Sequence, residues 1–98
     1  IAGGVAKGAD FAALRPAVER RVKRAVLIGQ ARPQMRKALE GATTVTEADD
    51  LREAVRLAAE SAAPGDVVLL SPACASFDLF KDFEDRGRQF KALVRAIP

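Results

Sequence analysis

Two short β-branched runs constrain this chain more than any other feature. Ala25-Val26-Leu27-Ile28 closes the segment Val22–Ile28 and is stopped by Gly29, and Val67-Val68-Leu69-Leu70 closes Asp66–Leu70 behind Pro64-Gly65. Neither alternates apolar with polar residues, so neither has a face to give to water. Such a strand belongs inside a sheet covered on both sides, which is the setting of a parallel sheet. Parallel neighbours cannot be joined by a tight turn and need a crossover, usually a helix. The chain between and around the two runs should therefore be helical.

The local signals agree. Gln34–Glu40 reads as a helix started near Pro33 and closed by Gly41, with proline at the entrance and glycine past the exit. Thr46 and Asp49 form a T-x-x-D capping pattern, and Leu51, Val55, Ala58, Ala59 and Ala62 follow at helical spacing as one buried stripe. Thr43–Val45 suits a short strand. Phe11–Arg21 is helical if Pro16 sits in a first turn, where its missing N–H costs nothing. Phe83–Ile97 is the last helix, with Phe83, Phe90, Leu93, Val94 and Ile97 as its inward residues. Strand and helix alternate with short connections, which predicts an α/β three-layer sandwich around a mostly parallel sheet.

Ninety-eight residues make one domain with a single modest core, too small for a two-substrate enzyme with its own nucleotide domain. The 16 Lys and Arg against 13 Asp and Glu leave a net charge of +3 with the signs interspersed, so nucleic acid is not an expected partner. The basic run Arg20, Arg21, Lys23, Arg24 holds no aromatic residue to stack a base and reads as a solvated face. With no histidine and one cysteine, a histidine triad and an internal disulfide are excluded, and no metal site is assigned. The apolar runs fall far short of the roughly 20 residues a membrane helix needs, so no membrane role is expected. The chain enters Gly3-Gly4 two residues after Ile1, as though a first strand were truncated and the domain excised from a longer protein.

In doubly wound sheets, ligands collect at the carboxyl ends of the strands. Three turns fall there: Gly3 to Asp10, Gly29 to Arg32 and Ser71 to Asp78. Lys7 and Ser76, on the first and third, can converge on one anionic ligand. Gly3-Gly4-Val5-Ala6-Lys7-Gly8 matches neither G-x-x-x-x-G-K-[ST] nor G-x-G-x-x-G, and it is open to two readings, a phosphate cradle or a tight loop at positive φ. The small residues Ser71-Pro72-Ala73-Cys74-Ala75-Ser76 let a ligand approach the backbone, with hydroxyl and amide donors suited to a carboxylate. Cys74 reads as a structural thiol, since no histidine activates it. Asp78, Asp82, Glu84 and Asp85 are explained by the dipole of the last helix as well as by any paired-acid role.

Together, GGVAKGADF at Gly3–Phe11 and VVLLSPACASFDLFKDFEDRGRQF at Val67–Phe90 resemble the carboxyl-terminal domain of Mur ligases of the MurD type, as do VLIG at Val26–Gly29 and PGD at Pro64–Asp66. The resemblance spans nearly the whole chain and implies a Rossmann-like sheet. It implies that residues 1–98 are the D-glutamate-binding domain of a three-domain, ATP-dependent amide ligase of peptidoglycan precursor synthesis. Lys7 matches the family's lysine that pairs with a D-glutamate carboxylate, Ser76 its carboxylate-binding serine and Phe83 the phenylalanine beside that site. Phe77 stands where the family often has leucine and is left with backbone contacts. Other implications are a cytoplasmic monomer, a second substrate UDP-N-acetylmuramoyl-L-alanine, and ATP and magnesium held by domains outside this chain. No catalytic residue is expected here, and the isolated domain is expected to be inactive. The alternative is a non-catalytic anion- or nucleotide-binding module on the same architecture.

Overall fold

The computed structural model describes residues 1–5, 10–71 and 79–97. In chain order it contains β1 (Ala2–Gly3), a 3-10 turn (Phe11–Leu14), α1 (Arg15–Arg21), β2 (Arg24–Ile28), α2 (Arg32–Leu39), β3 (Thr44–Glu47), α3 (Leu51–Ser61) and α4 (Phe83–Arg95). The sheet order is β1-β2-β3 and both pairings are parallel. Ala2 and Gly3 lie opposite Leu27 and Ile28, and Arg24 to Leu27 lie opposite Thr44 to Glu47.

β2 is the centre because its residues serve two cores in turn. Val26 and Ile28 pack with Ala48, Leu51, Ala54, Val55 and Ala58 on one face, where Phe90 and Leu93 of α4 join them. Ala25 and Leu27 pack with Phe11, Ala31, Met35 and Leu39 on the other. An unalternating apolar strand covered by helices on both faces is the expected three-layer α/β sandwich.

Short-range chemistry sets most element ends. Pro33 lies in the first turn of α2 and Pro16 in the first turn of α1, each where a missing N–H is harmless. Gly29 ends β2 at φ +79°. Asp10 caps the 3-10 turn by accepting from the Ala12 N–H at 3.1 Å. The basic run is solvated: Arg20, Arg21, Lys23 and Arg24 are all exposed, with Lys23 paired to Asp66 at 2.8 Å and Arg24 donating to the Thr46 hydroxyl at 2.8 Å. Among the described residues no helix is long and apolar enough to cross a membrane.

Three expectations are corrected. Thr46 does not open a helix. It pairs with Val26 inside β3, and Asp50 caps α3 instead, accepting from the Glu53 N–H at 2.8 Å while Glu53 reaches back to the Asp49 N–H at 3.2 Å. The start thus moves along the chain, so Ala54 joins the buried stripe and Ala62 falls exposed beyond the helix. Asp66–Leu70 is not a buried strand: Val67 is 86% and Leu69 65% exposed, and its ladder contact is with Ile1 alone among the described residues. Finally, Phe83, Val94 and Ile97 do not face inward, being 68%, 42% and 45% exposed. Helix α4 packs chiefly against α3, so its middle contributes Phe90 and Leu93 while both ends overhang.

Candidate functional site

The carboxyl edge of the sheet is assembled by backbone hydrogen bonds between successive strand exits. The Gly4 N–H donates to the Ile28 carbonyl at 3.1 Å, the Ala31 N–H to the Gly4 carbonyl at 2.8 Å, and the Ala48 N–H to the Leu27 carbonyl at 2.8 Å. A further bond, from the Ser71 N–H to the Ile1 carbonyl at 2.9 Å, sets the chain leading to residues 72–78 beside the chain leading to residues 6–9. Ile1 and Leu69, 68 residues apart in sequence, thus lie on neighbouring backbone.

Gly3 is glycine for a reason of packing. At φ +127° it runs so close to β2 that an added Cβ would stand 1.9 Å from the Ile28 carbonyl oxygen. Close packing against β2 and a positive φ account for Gly3, while residues 6–9 of the loop lie outside the described residues.

Arg32 was not singled out from the sequence, although a cation in the first turn of a helix opposes the dipole and needs a partner. Its Nε donates to the Gly29 carbonyl at 3.0 Å and its Nη1 to the Ala48 carbonyl at 2.8 Å, with Asp49 at 3.7 Å. This half-buried guanidinium braces the exits of β2 and β3, so its Nε and Nη1 are spent on structure. Arg15 plays a similar part at the opposite end of α2, donating to the carbonyls of Ala38 and Glu40 at 3.1 and 2.8 Å.

Of the residues implied to bind D-glutamate, Phe83 is described: it opens α4 and is 68% exposed, a side chain free to contact something other than its own core. Lys7, Ser76 and Phe77 lie outside the described residues, as do Cys74 and Asp78. The acids next to Phe83 form a helix start. Asp82 accepts from the Asp85 N–H at 2.8 Å, and Asp85 accepts from the Lys81 N–H at 3.1 Å and the Gln89 amide at 3.0 Å. Those hydrogen bonds, the one from Lys81 first, hold the Asp85 carboxyl below its ordinary value, with the charges of Arg88 and Lys81 adding to them. A cleft of about 290 Å³ opens between the start of α3 and α4, lined by Asp50, Arg52, Phe80 and Gln89 among others. Phe83 is not part of its wall.

Residues 1–74 match the Mur ligase, glutamate ligase domain family. The chain belongs to that family. Over 97 residues this Mur ligase domain is 54% identical to the UDP-N-acetylmuramoylalanine--D-glutamate ligase of Hahella chejuensis, covering 99% of this chain and 22% of that protein. It is 54% identical to the ligase of the same name from Chlorobaculum tepidum, covering 99% and 21%, and 48% identical to that of Coxiella burnetii, covering 99% and 22%. The chain spans about a fifth of the length of the curated relatives it matches.

Proposed function

We propose that this domain holds D-glutamate for a larger ATP-dependent ligase that joins it to UDP-N-acetylmuramoyl-L-alanine in the cytoplasm, working as a monomer. The observation that carries the reading is the end-to-end similarity to D-glutamate ligases, at 48 to 54% identity over 97 residues. Supporting it, the Ser71 N–H donates to the Ile1 carbonyl, so the chain just ahead of residues 72–78 is a hydrogen-bonded neighbour of the strand that precedes residues 6–9.

In this reading Lys7 pairs its ammonium with one carboxylate of D-glutamate. Ser76 donates its hydroxyl to a carboxylate, Phe77 contributes backbone contacts and Phe83 covers the site from the start of α4. All of these engage the carboxylates or the carbon chain, which leaves the amine free. The amine nitrogen attacks the carbonyl carbon of an acyl phosphate made on the other substrate. A C–N bond forms, inorganic phosphate leaves with the C–O bonding pair, and the amine gives up a proton. ATP and magnesium supply the phosphorylation, and they are assigned to the part of the ligase outside this chain. Holding one reactant without the other gives none of the advantage of proximity, so the domain alone is inert.

Lys7→Ala in the complete ligase tests the assignment. Losing a charge-assisted contact should lower kcat/KM for D-glutamate by about 2 kcal/mol or more, roughly thirtyfold, with the KM for ATP unchanged. Unaltered kinetics would remove Lys7 from the site. Saturable ATP binding by the chain with no response to D-glutamate would favour the nucleotide-binding alternative.

A further inference from the structure

Helix α2 begins against the usual rules. Its cap is Ala31, which has no side-chain acceptor, and its first turn holds no acid but the cation Arg32, where the helix dipole disfavours positive charge. Helices α3 and α4 are capped by Asp50 and Asp82, each with an acid in the first turn. Such a local breach is expected where something other than the helix constrains the residue. Arg32 gains two main-chain carbonyls at the carboxyl edge, Gly29 at 3.0 Å and Ala48 at 2.8 Å. Asp49, at 3.7 Å, is beyond hydrogen-bond range, so the carbonyls and not an ion pair fix the guanidinium.

The turn that Arg32 closes is the one that grips the exit of β1. The Gly29 carbonyl accepts from the Arg32 N–H at 3.3 Å as well as from its Nε, so residues 29–32 are tied from both backbone and side chain. Inside that turn the Ala31 N–H donates to the Gly4 carbonyl at 2.8 Å, and just ahead of it the Ile28 carbonyl accepts from the Gly4 N–H at 3.1 Å. Both main-chain polar groups of Gly4 are therefore held by residues 28–31. The Nη1 bond to Ala48, whose own N–H donates to the Leu27 carbonyl, fastens the same turn to the exit of β3. Gly4 stands three residues ahead of Lys7.

We propose that Arg32 is a positioning residue for the amino-acid site: by locking the turn that holds Gly4, it fixes the point from which the chain carrying Lys7 departs. The proposal rests on the reading of Lys7 as the partner of a D-glutamate carboxylate. Arg32 itself touches no substrate. Its planar fork offers two donors at a fixed separation, which a lysine's single nitrogen on a flexible stem does not replace. Without the fork the departure point shifts against the rest of the edge, and a charge-assisted contact made three residues on is weakened, since such contacts depend on placement. The effect is confined to the amino-acid substrate, because ATP is assigned to the part of the ligase outside this chain.

The test uses the complete ligase bearing this chain, with Arg32→Ala, Arg32→Lys and Lys7→Ala. Arg32→Ala should raise the KM for D-glutamate by about tenfold, the scale of one charge-assisted hydrogen bond, with the KM for ATP unchanged, and Arg32→Lys should recover only part of the loss. In the Lys7→Ala background, Arg32→Ala should add less than about twofold, because both substitutions act on one contact. Hydrogen exchange of the Ala31 amide, followed by mass spectrometry of its peptides, should quicken by about tenfold in Arg32→Ala. A D-glutamate KM that Lys7→Ala raises and Arg32→Ala leaves alone would overturn the proposal while the D-glutamate reading stands. Equal rises for D-glutamate and ATP, the mark of a general loosening, would overturn it too, as would full multiplication of the two effects or unchanged Ala31 exchange. Unaltered kinetics in both single variants would remove the D-glutamate reading of Lys7, and the positioning role with it.

Discussion

Gly3→Ala should cost this domain about 4 kcal/mol or more, placing it among the exceptional single substitutions. Two penalties combine. A left-handed backbone at φ +127° is one that a residue with a Cβ rarely adopts, and the added methyl would stand 1.9 Å from the Ile28 oxygen and 2.8 Å from the Ile28 carbon and nitrogen. Those atoms are main chain of the central strand, so no side chain can swing aside. The methyl must part β1 from β2, breaking the Gly4–Ile28 hydrogen bond and shifting the exit towards residues 6–9. In a domain of this size the thermal midpoint should fall by roughly 20 °C. The matched control is Gly87→Ala in α4, where an added Cβ meets nothing within 4 Å and an alanine suits the helix better. Equal midpoints for the two variants, measured by circular dichroism, would contradict the packing of β1 against β2.

Leu27→Ala is the second large effect, at 2–5 kcal/mol by the usual range for a buried leucine. Leu27 has no exposed surface and packs with Phe11, Met35 and Leu39 between β2 and the helices of one face. Its neighbours belong to β2, α2 and the 3-10 turn, whose positions are also set by backbone ladders and the Arg32 brace. Collapse into the vacated space is therefore limited, and the upper part of the range is expected. Urea unfolding with an unchanged slope and a lower midpoint would report it. A loss below about 1 kcal/mol would mean that this core is not closed as described.

The elements legible in the sequence are those whose signals are local. Proline at the entrance and glycine past the exit mark α2, and the apolar run stopped by Gly29 marks β2. The misplacements arise where a distant partner decides. Thr46-x-x-Asp49 and Asp50-x-x-Glu53 are both sound capping patterns, and nothing nearby chooses between them. The choice is made by β3 pairing with β2 along Thr44 to Glu47, which claims Thr46 as a strand residue. The run 66–70 has the composition of a buried strand, yet burial is a property of the neighbours, and among the described residues its strand-type backbone contact is with Ile1. Helix α4 shows the same limit: spacing identifies an apolar face, but how far α3 extends beneath it decides that Phe90 and Leu93 are covered and Phe83 is not.

The candidate site was legible in a different way. Its turns follow from the rule that ligands gather at the carboxyl ends of parallel strands, while the roles of Lys7, Ser76, Phe77 and Phe83 come from resemblance of the two motif segments to a family. Arg32 escaped notice because its partners are main-chain carbonyls of Gly29 and Ala48, and no residue type announces a carbonyl in need of a donor.

The central claim is that this domain presents D-glutamate, and no other amino acid, to an activated carboxyl. Its most direct test is the mass of the product formed when the complete ligase bearing this chain is given ATP, magnesium and UDP-N-acetylmuramoyl-L-alanine with D-glutamate, L-glutamate or a diamino acid. The account predicts a product heavier by one glutamyl residue with D-glutamate and little with the others. An equal yield from L-glutamate, or a product made from the diamino acid alone, would contradict it.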